Sequence, residues 1–225
     1  MPESVKPPTS RLRAARVADT EERIVSAAHE LFVRDGYAAT TLTAVADAAG
    51  VGHRTVYVRF GTKAALLKRV VDVAIVGDTQ LVDLAGRDWF QHALSAATLD
   101  ERVDVFARGG AALMARAGDV MAVAQQAEHV EPPIAEAARA GRAATRDMVR
   151  RFVTALREDG LIPPAIDLDW LCDTAGVLAQ AQTYLLIRET LGWTADEYQT
   201  WLKSTWHRLL AGASTDTRAA RVSRR

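Results

Sequence analysis

The sequence predicts an all-α fold of about nine helices, and three observations carry that expectation. Alanine is heavily used within an apolar share of 49% over 225 residues, and alanine is the strongest helix former. Apolar positions recur at three- and four-residue spacing, with little of the alternation a half-buried strand needs. Gly36, Gly160 and Gly192, with Pro132-Pro133 and Pro163-Pro164, punctuate these stretches where helices stop or the chain stays extended.

The elements follow in order. Residues 1–18 hold three prolines with Lys6, Arg11, Arg13 and Arg16, the composition of a flexible basic arm. Asp19 or Thr20 starts a first helix, with Glu21 and Glu22 in its first turn. Its apolar face is Ile24, Ala27, Ala28, Leu31 and Phe32, and Gly36 ends it. In a second helix over 41–49, Leu42, Val45, Ala46 and Ala49 share one side. Gly50 supplies a tight turn, and a short third helix is led by His53, Arg54 and Thr55. A fourth runs from Thr62 to about 84, followed by helices over about 100–116 and 119–130. Pro132-Pro133 break the chain before a helix over 134–159. A long apolar helix covers 168–190, and Thr194 with Glu197 forms a capping box for a last helix to about 212. Residues 214–225, with Arg218, Arg221, Arg224 and Arg225, are expected as a basic disordered tail. The domains read as an arm over 1–18, an N-terminal helical unit over 19–66, a larger helical unit over 67–213, and a tail over 214–225.

The formal net charge is zero, but it is unevenly spread. Residues 1–70 carry 11 Lys/Arg against 7 Asp/Glu, and residues 71–225 carry 17 against 21. The basic excess sits where phosphate binding requires it. No stretch of about 18 uncharged apolar residues reads as a membrane span. The single cysteine, Cys172, excludes an internal disulfide and fits a reducing cytoplasm.

Chemistry concentrates in residues 36–67. Ala46 is small where the next helix must cross, and Val51, Val56 and Phe60 turn inward. His53, Arg54, Thr55, Tyr57 and Arg59 are left exposed, which is the composition of a recognition helix in a helix-turn-helix. Arg54 offers a bidentate contact to guanine, and His53 or Thr55 reaches a base edge or phosphate. Tyr57 and Arg59 suit the backbone or a thymine methyl. Thr41, Thr43 and Lys63 complete the expected DNA-binding set, Thr41 and Lys63 as phosphate contacts. For Thr41 and Thr62, simple N-capping is an equal reading.

Gly36-Tyr37, Ala49-Gly50-Val51, Thr55-Val56-Tyr57, Phe60, Thr62-Lys63 and Leu66-Leu67, in this order and spacing, resemble the N-terminal domain of the tetracycline-repressor (TetR) family of transcriptional regulators. The resemblance in motif covers about 50 residues. It implies an all-helical homodimer on double-stranded operator DNA, with repression relieved by a small-molecule effector. Two departures stand out. Gly52 begins the recognition helix where the family often has Ser, and Val58-Arg59 follow Tyr57 where a second aromatic is common.

Within the regulatory half, Trp89, Phe106, Met114, Met121, Gln125, His129 and Tyr184 are the candidate pocket lining, although Met and aromatic residues at helical spacing are more often core than ligand cage. Leu171, Ala175, Leu178, Gln182 and Leu185 form one candidate dimer stripe, and Trp201, Thr205 and Leu209 belong to a second. A helical-bundle enzyme is the main alternative, with a non-DNA-binding interaction protein behind it. None of the five histidines has a glutamate three positions earlier, as a di-iron bundle needs. No HExxH motif or Gly-rich phosphate loop is present. The expectation is therefore a non-enzyme without metal or cofactor.

Overall fold

Helix α1 spans Thr9–Ala39 and bends where Gly36 leaves helical geometry at φ 78°. It opens a computed structural model that describes residues 9–77 and 84–212. The helix begins well before the expected Asp19 or Thr20 start, so residues 9–18 are not a flexible arm. The run Leu12-Arg13-Ala14-Ala15-Arg16 consists of strong helix formers, and Thr20 donates its hydroxyl to the Arg16 carbonyl at 2.8 Å. Residues 1–8 and the expected tail 214–225 lie outside the described residues. The inward face of α1 is the spaced set Ile24, Ala27, Ala28, Leu31 and Phe32, all buried.

Past Gly36, Thr40 donates to the carbonyls of Leu31 and Gly36 at 3.2 and 2.8 Å, satisfying acceptors that a helix end leaves open. Helix α2, Leu42–Ala48, is capped by Thr41, and α3, His53–Phe60, starts from Gly52 with no side-chain cap. Helix α4, Lys63–Val76, is capped by Thr62. It stops short of the expected residue 84 because Gly77 adopts a left-handed φ of 89°. Residues 78–83 are not described.

Helix α5, Asp88–Ser95, has no counterpart in the sequence reading. Helix α6, Leu99–Ala127, is continuous where two helices were expected. Gly118 does not interrupt it: a Cβ there would lie 2.8 Å from the Tyr184 ring, so the glycine answers a packing demand. Helix α7, Pro132–Glu158, begins with the two prolines instead of after them, since proline fits the first helical positions, where an N–H is unpaired anyway. The expected 168–190 helix is two helices, α8 Leu168–Leu178 and α9 Ala181–Leu191, because Gln180 is extended at φ −71°, ψ 148°. Helix α10, Ala195–Gly212, carries the expected capping box: Glu197 N–H donates to Thr194 Oγ1 at 3.3 Å and Thr194 N–H to the Glu197 carboxylate at 2.8 Å. The described residues thus form ten α-helices and no strand.

Two apolar cores organise them. Ile24, Phe32, Val45, Val56, Leu66 and Leu67 fill the first, which Val120, Val123 and Ala127 of α6 and Ile134 of α7 close. Phe90, Phe106, Phe152, Leu171 and Trp206 fill the second. There Phe106 stacks on Phe152 at 4.3 Å between centroids, and Trp206 meets both edge-on at 5.3 Å. Helix α6 therefore belongs to both cores and packs against α4, α5, α10 and α1.

Candidate functional site

The α2–α3 unit is built around a backbone turn. Gly50, at φ 64°, allows its own N–H to reach Asp47 O at 3.1 Å and the Val51 N–H to reach Ala46 O at 3.0 Å. Ala46 and Val56 are fully buried, so one face of α3 is pinned to α2. The opposite face presents His53, Arg54, Thr55 and Tyr57, all exposed. Arg54 and Tyr57 make no hydrogen bond or ion pair with another described residue. Their donors are free for an outside partner, and Val58, 75% exposed, adds an apolar contact of the kind a thymine methyl accepts. His53 is steadied by Asp47, Nε2 to Oδ1 2.6 Å.

Three other expected contacts have internal duties. Arg59 donates twice to Glu21 Oε2, at 3.0 and 2.7 Å, and Arg69 holds the other oxygen at 2.9 Å. This corrects the assignment of Arg59 to DNA: its guanidinium ties α3 to α1. Burial opposes ionisation of Glu21, but the hydrogen bonds and charges of Arg59 and Arg69 outweigh it and hold its pKa below the usual value. Lys63 donates to the carbonyls of Tyr37 and Ala38 at 2.7 and 3.3 Å, and sits 4.2 Å over the Tyr37 ring. A lysine read as a phosphate clamp therefore caps α1. Thr41 accepts the Ala44 N–H at 3.1 Å, which leaves its own hydroxyl proton for a phosphate, and Thr43 is exposed on α2.

Sequence reasoning gave Tyr37 no function. It is buried against Phe32, and its hydroxyl donates 2.8 Å to Glu131 Oε1 in the α6–α7 turn. Burial, then the Glu131 carboxylate, raises its pKa. It links the first core to the turn beneath the regulatory half. The Gly36-Tyr37 motif marked the position, but nothing in the sequence pointed to Glu131 as its partner.

Residues 24–70 match the family described as bacterial regulatory proteins, tetR family. The chain carries a TetR-family DNA-binding domain. Solved structures extend the likeness in fold over most of its length. A candidate TetR-family transcriptional regulator from Mesorhizobium loti is 17% identical with a TM-score of 0.69, over 89% of this chain and 98% of that one. A TetR transcription regulator from Haloarcula marismortui is 15% identical with a TM-score of 0.65, over 86% and 97%. NalD of Pseudomonas aeruginosa, the secondary repressor of the MexAB-OprM multidrug efflux pump, is 20% identical with a TM-score of 0.62, over 85% and 95%. Among curated proteins nothing matches this chain.

Behind the TetR-family domain, a cavity of about 480 Å³ opens between α4, α6, α7, α9 and α10. Of the candidate lining residues, Trp89, Phe106, Met114, Met121 and Gln125 face it. His129 and Tyr184 do not. His129 is exposed in the α6–α7 turn, and Tyr184 is buried with its ring 4.9 Å from Tyr198. The candidate dimer stripe on α8 and α9 also needs correction. Leu171 and Ala175 are buried in this subunit's own core, while Gln182 and Leu185 line the cavity. The stripe assumed one continuous helix, and the extended Gln180 rotates α9 out of that register. On α8 and α9 the large apolar residues left at the surface are instead Val177, Leu186 and Leu191, at 65%, 63% and 54% exposure. Leu178, Trp201, Thr205 and Leu209 are partly buried. Among the described residues, no cluster of three metal-ligating side chains occurs.

Proposed function

We propose that this chain is a sequence-specific transcriptional repressor, a homodimer that releases operator DNA when a small molecule fills the cavity. The observation that carries this reading is α3, whose buried Val56 anchors a face on which Arg54 and Tyr57 are exposed and unpaired. His53, Thr55, Thr43 and Thr41 complete the contact set, and Lys63 adds charge beside it. The repressor described for NalD supports the same direction of regulation. The first core, with α1–α4, is the reading unit, and α5–α10 form the regulatory unit. Val177, Leu186 and Leu191 belong to the face that pairs two subunits, because a two-half-site operator needs paired recognition helices. Such a protein works on DNA in the cytoplasm and carries out no chemical step. No helix of the described residues is long and apolar enough to cross a membrane.

Coupling follows from shared elements. Helix α4 begins beside α3 and lines the cavity through Lys68, Val71 and Ile75. Helix α6 lines the cavity through Met114 and Met121 and closes the first core with Val120 and Val123. A ligand that favours another packing of these helices changes the distance between recognition helices. Moving the operator-competent population from 99% to 1% takes about 5.5 kcal/mol of differential binding.

Selection of binding sites from a random DNA library with the purified protein tests this. The expected product is a pair of related half-sites whose centres lie about 34–36 Å apart. Enrichment of no sequence at modest salt would remove the DNA-reading function.

A further inference from the structure

We propose that the cavity takes an uncharged, apolar molecule bearing a hydrogen-bond acceptor, which the Tyr198 hydroxyl receives. The inference rests on the reading of this cavity as the effector site. Its volume of about 480 Å³ is that of a small-molecule pocket, and Met114, Met121, Met148 and Leu185 dominate its walls beside the alanines of α7.

Charge settles the class. Every charged side chain in the lining is already paired with another: Lys68 with Asp72 at 2.6 Å, and Arg142 with Glu128 at 2.7 Å. An ionised ligand finds no free countercharge. It either stays unpaired or breaks one of these pairs, and each costs free energy that a neutral molecule avoids. Among the polar groups, Thr145 donates to Gly141 O and the Gln180 amide to Arg142 O. Gln125 is exposed to solvent and Gln182 is only partly buried, so water reaches both amides. Tyr198 differs: it lines the cavity, is 1% exposed, and its hydroxyl makes no hydrogen bond with another described residue. A hydroxyl this little exposed gains from a hydrogen-bond partner inside the cavity, and an acceptor on the ligand supplies one.

The test is displacement of the neutral dye phenylnaphthylamine from the full-length protein at neutral pH. The competitors are methyl decanoate, decanoate and decylamine, which differ at one end. The ester should compete at least about ten-fold more strongly than either ion. Tyr198→Phe keeps the ring against Tyr184 and Trp201. It should bind the dye as before but lose about five-fold in affinity for the ester. An ion competing as well as the ester overturns the proposal, and so does an unchanged ester affinity in Tyr198→Phe. If neither the dye nor any competitor binds, the effector-site reading itself falls and takes this inference with it.

Discussion

Glu21 shows how one residue decides what its neighbours do. By holding Arg59 and Arg69 at once, it converts a recognition-helix arginine into a brace between α3, α1 and α4. Its pKa is depressed in the folded state, so the stabilisation is present above the unfolded carboxylate's value of about 4.3 and is lost as pH falls through the folded value. Melting curves over this acid range should show the wild type losing stability more steeply than Glu21→Gln; parallel curves would remove the brace. Cys172 is buried, and burial followed by its acidic neighbours pushes its thiol pKa up, so the folded protein should resist thiol-directed reagents that label the unfolded chain. Thr62→Ala removes the acceptor for the Ala65 N–H and should cost about 1 kcal/mol in denaturant unfolding. At this scale the sequence told exposure well and partnership badly. Arg54 and Tyr57 are as exposed as their spacing around Val56 demands. The sequence could not say that Arg59 finds a carboxylate 38 positions away, or that Lys63 finds the end of α1, because both partners are brought near only by the packing of α1.

Among the elements, α6 is the one whose sequence is most misleading. Gly109, Gly110 and Gly118 each weaken an isolated helix by about 1 kcal/mol relative to alanine, and the expected helices over 100–116 and 119–130 part at Gly118. The fold spends them on contact. A Cβ on Gly109 would lie 2.3 Å from the Trp89 indole, and one on Gly118 would meet Tyr184. Gly109→Ala should therefore destabilise the protein by roughly 1–3 kcal/mol despite its better helix propensity, and it should narrow the cavity by displacing Trp89. An unchanged melting temperature would contradict the packing account. Local signals fared better where they govern local events: the Thr41, Thr62 and Thr194 caps were legible because each acts within three residues. The α8–α9 break was not, because Gln180 carries no turn signal and its amide is drawn to Arg142 O on α7.

For the whole molecule, the question is how two cores communicate. They share α6, α4 contributes to both, and Tyr37–Glu131 adds a polar tie. Tyr37→Phe should cost about 1 kcal/mol of stability and weaken the dependence of operator affinity on ligand; full ligand response in this variant would exclude the tie from the coupling route. The reading unit was legible because its motif is compact and ordered. The regulatory unit was legible only as helices, since its cavity depends on which faces meet. Operator affinity measured side by side for Arg54→Ala and Arg59→Ala, with the melting temperature of each, separates an arginine that reads DNA from one that braces the fold. Arg54→Ala should lose about 1–3 kcal/mol of operator binding at unchanged melting temperature, while Arg59→Ala should melt earlier. Wild-type operator affinity in Arg54→Ala would contradict the reading role of Arg54.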